Sequence, residues 1–470
     1  MITAFVPFIT ETQAEATIAN LKQSSLVTKI VKLDINKTPL MSTAAMKEIA
    51  SEAGDNKYIL LYTKTNTLVP GYFAIERLVR LAEDSDAGML YADSYAVTDG
   101  VQKNHPVIDY QEGSLRDDFD FGSVLFFRTD AFKKATAGMN KPYEAAGLYD
   151  LRLRLSRIAP IVHVNEYLYQ DVETDNRKSG EKIFDYVDPK NRAKQLEMED
   201  VCTEHLKAVG AYLPPVFEPI EFGKDDTFEF EASVIIPVRN RVRTIRDAIN
   251  SALNQKTDFK YNVIVIDNHS TDGTTEAIAE FTDPRVIHIR PERTDLGIGG
   301  CWNMGVEDQR CGRFAIQLDS DDVYSDENTL AKIVRAFYDQ NCGMVVGTYM
   351  LTDLACNPIP PGVIDHKEWT PDNGRNNAMR INGLGAPRAF YTPLLRKIHV
   401  PNTSYGEDYA LGLAFSRHHQ IGRIYDVLYF CRRWEDNSDA ALDIVKMNNN
   451  NLYKDRIRTW ELQARKAMKK

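Results

Sequence analysis

The two halves of this chain follow one plan, and that constrains its fold more than any other feature. In the second half, ASVIIPV (232–238), YNVIVIDN (261–268), RVIHIR (285–290) and GRFAIQL (312–318) are short apolar runs that read as strands. Ile245, Ala248, Ile249, Ala252 and Leu253 recur at helical spacing after the first, and TTEAIAEF (274–281) reads as a helix after the second. Such alternation predicts an α/β fold built on a Rossmann-like, mainly parallel sheet, with ligands at the carboxyl ends of its strands. The first half repeats the series. ITAFVPF (2–8) matches SVIIPV, and TKIVKLDIN (28–36) matches YNVIVIDNH with Asp34 in the place of Asp267. KYILLYTKTNTL (57–68) matches RFAIQLDSDDVY, FFRTDAFKK (126–134) matches AFYTPLLRK, and LYDLRLRLSR (148–157) matches DYALGLAFSR. Matches that keep their order point to an internal duplication.

A chain of 470 residues has room for two or three domains. The expected division is a first domain over 1–212, a linker over 213–230 in the proline-bearing stretch AYLPPVFEPIEFGKDDTFEFE, and a second domain over 231–446. Residues 447–470 form a basic amphipathic helix past the breaker NNNN (448–451), with Tyr453, Ile457, Trp460, Ala464 and Met468 on one face. Packing against its own domain is the favoured role of that face; an anionic membrane surface is the second. The balance of 57 basic against 67 acidic residues, net −10, argues against a general nucleic-acid binder. No apolar run approaches the length of a membrane span, and the N-terminus reads as a strand rather than a secretory signal. Six scattered cysteines make no disulfide or metal framework. The expected location is cytoplasmic, with peripheral contact at the inner membrane face and self-association both compatible.

QLDSDD (317–322) runs a strand into Asp319, Asp321 and Asp322. Clustered carboxylates repel, so a fold that gathers them needs a cation or ample water. The duplication is an internal control. The first copy has Thr63, Thr65 and Asn66 at these places, so the strand is kept and the charge is dropped.

SVIIPVRNR, VIVIDNHSTDGT, DLGIGGCWNMG, QLDSDD and YGEDYALGLAFSR, in that order, resemble the inverting glycosyltransferases of family 2, with the GT-A fold. The resemblance spans roughly 232–435, and the first half resembles a degenerate copy. It implies a divalent metal, manganese or magnesium, on Asp321 and Asp319, in a DXD motif that includes Ser320 and binds a nucleotide-sugar diphosphate. It implies a catalytic base in the acidic pair, with Asp408 preferred and Glu407 the alternative. Pro237, Val238, Arg239, Asp267 and Asn268 are expected around the nucleotide, with a UDP-sugar favoured; Asn268 stands where the family usually has a second aspartate and can still accept a uracil proton through its carbonyl. Gly297 and Asn303, in the GIGGCWNMG segment, are expected near the diphosphate, with flexible backbone there. Arg432 or Arg433 stands in for a missing phosphate contact, and Trp302 with Trp434 is a candidate sugar platform. The acceptor is expected to be a saccharide or lipid-linked sugar contacted by the stretch 355–388. The first copy, with Gly147 and Leu148 at the acidic pair, is expected to be non-catalytic. A nucleotidyltransferase and a carbohydrate-binding scaffold are the competing classes.

Overall fold

The computed structural model describes residues 1–172, 192–223, 227–367, 369–434 and 442–468. The chain folds into two compact units: Met1–Tyr212 with Asp443–Lys470, and Leu213–Leu442.

In the first unit the strands are β1 (Ile2–Phe8), β2 (Val27–Asp34), β3 (Tyr58–Tyr62), β4 (Thr67–Pro70), β5 (Met89–Thr98), β6 (Val101–His105), β7 (Val124–Arg128) and β8 (Ile161–Val172). They form one sheet in the order β2-β1-β3-β7-β5-β8-β4, with β6 on β5. Both faces are buried, and residues alternate along β1: Ala4 and Val6 join one apolar cluster, while Phe5 joins the other.

The second unit contains β9 (Ala232–Val238), β10 (Tyr261–Asp267), β11 (Val286–Ile289), β12 (Phe314–Gln317), β13 (Val323–Tyr324), β14 (Met344–Thr352), β15 (Pro358–Ile364), β16 (Arg388–Tyr391) and β17 (Ile421–Arg432). Their order is β11-β10-β9-β12-β16-β14-β17-β13, with β15 on β14. Apart from β11, this is the order of the first sheet. The register agrees as well: Asp34 lies opposite Phe8, Asp267 opposite Val238, and Pro7 and Pro237 one step back.

The sheets are mixed, which corrects the mainly parallel expectation. β9, β10, β11 and β12 are parallel neighbours, but β16 returns antiparallel between β12 and β14, and β13 and β15 are antiparallel too. A strand buried on both faces reads as an apolar run in either direction, so the hydrophobic pattern carries no record of the reversal.

The stretch read as a linker is anchored to the second unit at two buried residues, while the rest of its described residues are exposed or half-buried. Ile220 joins its core and exchanges backbone hydrogen bonds with the Asn341 side chain, and Leu213 does the same with Asn376. The C-terminal helix runs Ile444–Ala467, so NNNN lies inside it, and the Asp443 carboxylate caps it at Lys446 N. The helix belongs to the first unit, but the expected apolar face is not the one it buries. Trp460 and Met468 are exposed, whereas Asp455, Arg458, Glu461, Leu462 and Arg465 are buried with Ile457. Asp455 pairs with Arg116 at 3.2 Å and Arg458 at 2.9 Å and accepts from Ser114 Oγ; Glu461 pairs with Arg465 at 2.7 Å. No helix among the described residues is long and apolar enough to cross a membrane.

Candidate active site

The acidic loop leaves the carboxyl end of β12, where an open α/β sheet presents its ligand crevice. Two residues of β17 hold it. Tyr429 Oη accepts from Asp319 N–H at 3.0 Å. Arg432 donates its backbone N–H to Asp322 Oδ1 at 2.7 Å and its Nε to the Asp321 carbonyl at 2.6 Å, while its Nη1 reaches Asp247 at 2.8 Å. Arg432, one of the two arginines expected at a phosphate, is therefore engaged as a clamp on this loop.

The three carboxylates differ. Asp322 is buried and tied to β17; burial, with Asp321 and Asp319 nearby, pushes it well above the usual carboxylate range. Asp319 accepts from Gln317 Nε2 at 3.0 and 3.1 Å. Burial raises its carboxyl, and the opposing pull of Arg388 and Gln317 does not cancel the rise. Asp321 is half-buried, with Arg241 Nε at 3.6 Å and Trp434 Nε1 at 3.5 Å. Arg241 and Arg243 lie over the Trp434 ring, at 5.9 and 4.9 Å from its centroid. Trp434 thus stands in the site. Trp302 does not: it is buried edge-on to Phe390, so the paired platform is not formed.

Among the described residues, no three His, Cys, Asp or Glu side chains converge as a ready-made metal cage. Asp319 and Asp321 remain as oxygen donors, and one or two carboxylates completed by substrate phosphates is an ordinary set for magnesium or manganese. Crowded carboxylates whose charge is disfavoured are consistent with a cation there.

Several expected nucleotide contacts are structural. Asp267 is buried at the end of β10, accepting from Ser270 N at 3.1 Å and Thr275 Oγ1 at 2.6 Å. Burial opposes its charge, but these hydrogen bonds win and hold its carboxyl below the usual range. Asn303 is engaged at both ends of its amide by Val400, donating to its carbonyl at 2.7 Å and accepting from its N–H at 2.8 Å, so it is not a diphosphate ligand. The glycines beside it give close packing rather than flexible backbone. A Cβ on Gly299 would sit 1.8 Å from the Pro401 carbonyl oxygen, and one on Gly297 would sit 2.6 Å from Thr403 backbone. Ser270 and Asp272 bond the backbone of Asn240, Val242 and Thr274, a turn-building role.

Others stand where a nucleotide could meet them. Pro237 and Val238 close β9, and Arg239 follows in an exposed position. Asn268 donates its amide to Leu296 O at 2.9 Å, which leaves its side-chain carbonyl to accept. Ser320 is buried, and its backbone carbonyl accepts from Thr244 Oγ1 at 2.9 Å.

Glu407 and Asp408 open the helix Glu407–His418. Arg388, on β16, joins them to the acidic loop. Its Nη1 lies 2.8 Å from Asp408 Oδ2, its backbone N–H donates to Gln317 Oε1 at 3.0 Å, and its charge is felt by Asp319 and Glu407. Arg388, Arg241, Arg243 and Tyr429 are site residues that the motif reading did not assign. The alternating arginines of PVRNRVR were the visible signal for two of them.

Residues 233–397 match the family model Glycosyl transferase family 2. The second unit carries a glycosyltransferase domain. By that match the second unit is an enzyme domain of sugar transfer. Its similarity to UDP-Glc:alpha-D-GlcNAc-diphosphoundecaprenol beta-1,3-glucosyltransferase WfgD of Escherichia coli is 25% identity over 235 residues, covering 50% of this chain and 85% of that protein. The succinoglycan biosynthesis protein ExoO of Rhizobium meliloti is 36% identical over 106 residues, 23% of this chain and 30% of its own length. Among solved structures, S. aureus TarS 1–349 with UDP-GlcNAc aligns with a TM-score of 0.39 and 22% identity, over 50% of this chain and 72% of that one. The mannosyltransferase PcManGT of Pyrobaculum calidifontis, in complex with GDP-Man and Mn2+, aligns at 0.35 and 18%, over 59% and 84%.

Proposed function

We propose that the second unit inverts the anomeric centre of a nucleotide-diphosphate sugar, a UDP-sugar by preference, onto a hydroxyl of a saccharide or lipid-linked acceptor. The setting is polysaccharide or glycoconjugate synthesis, the kind of role that the names of WfgD and ExoO describe. The observation that carries this is the gathering of Asp319, Arg388, Asp408 and Glu407 around the carboxyl end of β12, with Asp321 facing Arg241 and Trp434 on the same loop.

In this reading Asp319 and Asp321 hold a divalent cation, which when bound neutralises charge developing on the leaving diphosphate. Arg241 and Arg243 add fixed positive charge on that side, and Arg239 and Asn268 meet the base. Asn268 accepts the imide proton of uracil through its side-chain carbonyl. The acid pair receives the acceptor's proton. A nucleotidyltransferase is disfavoured, because PVRNRVRTIRDA lacks a glycine for a phosphate loop after the first strand.

The first unit is read as non-catalytic. Support comes from its loop at 63–66, where Lys64 pairs with buried Asp171 at 2.7 Å, and from Gly147, where a Cβ would sit 2.2 Å from Ser42 backbone. The place of Glu407 thus has no room for a side chain, while Leu148 fills the place of Asp408. The test is a screen of nucleotide sugars with manganese, scored by release of free nucleotide. Turnover with one donor, reduced at least ~100-fold in Asp321→Ala, is expected; no turnover with any donor overturns the reading.

A further inference from the structure

We propose that Glu407, rather than Asp408, takes the proton from the acceptor hydroxyl, and that Arg388 divides the two roles by holding Asp408 as its counter-ion. The inference rests on the sugar-transfer reading above and concerns which carboxylate does the work. Motif order favours Asp408. The geometry favours its neighbour.

Asp408 is engaged. Its Oδ2 lies 2.8 Å from Arg388 Nη1, and its Oδ1 accepts from Tyr409 N–H at 2.7 Å. With both oxygens already accepting from the protein, Asp408 has less to offer an incoming hydroxyl. Arg388 is in turn fixed, since the same Nη1 donates to the Gly385 carbonyl at 2.8 Å. Glu407 is the contrast: its Oε2 is buried and has no hydrogen-bond partner. A buried carboxylate oxygen without a donor is costly in the resting protein, and an incoming hydroxyl would supply what it lacks.

The charged groups facing Glu407 are Asp408 on its own helix, Arg388 from β16 and Asp319 from the end of β12. Burial and the Asp408 charge push its carboxyl up to about 7, while Arg388 pulls the other way. That value suits a general base working near neutral pH. In the step itself, the acceptor oxygen bonds to the anomeric carbon as the bond from that carbon to the diphosphate oxygen breaks. The hydroxyl proton passes to Glu407 Oε2, the electron pair of the broken bond stays on the diphosphate, and the proton leaves to solvent after product release.

The experiment measures kcat/KM against pH for the full chain and for E407Q, D408N, R388M and R388K, with nucleotide binding by calorimetry confirming that each is folded. Wild type should lose activity as pH falls through about 7. E407Q should lose ~10²–10⁴-fold while still binding nucleotide. D408N should stay within about tenfold of wild type. Its acid limb should move to lower pH, since the charge that raises Glu407 is gone. R388M should move the limb to higher pH, and R388K should restore it. With an active wild type, D408N as impaired as E407Q overturns the assignment of the base, and an unmoved limb in R388M overturns the role of Arg388. A wild type that turns over no donor overturns the functional reading beneath both.

Discussion

Asp322 illustrates, at the scale of single residues, how unequal neighbouring carboxylates become. It shares a loop with Asp319 and Asp321, yet it is bound into the protein by Arg432 N–H. Its carboxyl is raised well above the ordinary value by burial and by the two other acids. Between the unfolded pKa and the folded one, the folded chain holds more protons than the unfolded chain, so this group's contribution to stability falls as pH rises. Asp322→Asn keeps an oxygen for Arg432 and removes the charge. At pH 7, without added metal, the variant should be the more stable in urea unfolding. The gain should shrink toward pH 4, where the carboxyl is protonated in the folded state and half-protonated in the unfolded one. A loss of stability at pH 7 would mean that the repulsion is relieved by other means. Gly299 makes a second residue-scale case. Its added Cβ would meet a backbone carbonyl at 1.8 Å, which cannot swing aside as a side chain can. Gly299→Ala should therefore displace the 400–404 segment that leads into Glu407, costing roughly 1–3 kcal/mol and lowering kcat more than donor affinity.

Elements show where sequence reasoning succeeds and where it stops. The strands at 232–238 and 261–267 were legible because short apolar runs bounded by polar residues and followed by helical spacing fit a buried strand better than a helix. The structure keeps the match of Asp267 to Asp34 in the register of the two sheets, with Pro237 and Pro7 at equivalent steps. Strand direction was not legible, for β16 looks the same whichever way it runs. The C-terminal helix failed for another reason. Hydrophobic periodicity assumes that charge faces water, whereas Asp455, Arg458, Glu461 and Arg465 are buried as ion pairs and Trp460 is exposed. Arg388 was invisible as a partner of Asp408, because the two lie on different elements and only the fold brings them to 2.8 Å. The buried network gives a sharp expectation. Asp455→Ala leaves Arg116 and Arg458 without their shared carboxylate and should cost about 3–5 kcal/mol. The damage should fall on the unit that contains the helix. Hydrogen exchange would show Met1–Tyr212 losing protection while Leu213–Leu442 keeps it.

Across the whole molecule, a shared strand order with different loops separates what a fold requires from what a reaction requires. The first unit keeps β1, β2, β3, β7, β5, β8 and β4 in the places of β9, β10, β12, β16, β14, β17 and β13. What differs lies where a ligand crevice opens. Lys64 stands in line with Ser320, its ammonium neutralising buried Asp171, so positive charge in this loop is supplied by the chain itself. Tyr62 Oη also donates to Asp171, at 2.9 Å. At the place of Glu407, Gly147 is pressed against Ser42 and donates its N–H to the Met41 carbonyl at 2.7 Å. A carboxylate could be placed there only by moving the backbone that starts the helix Thr43–Glu52, whose cap is Ser42 itself. On the reading of the first unit as non-catalytic, packing at this position and charge at the loop would both have to change together for it to carry a site. If it is non-catalytic, all turnover belongs to the second unit, and damage to one site must abolish it. The double variant Asp321→Ala, Glu407→Gln should show no nucleotide release above background with any donor. Lys64→Ala and Asp171→Ala, distant in sequence from the proposed catalytic residues, should change stability more than the chemical rate. Residual turnover in the double variant, lost on adding Asp171→Ala, would instead make the first unit a second enzyme.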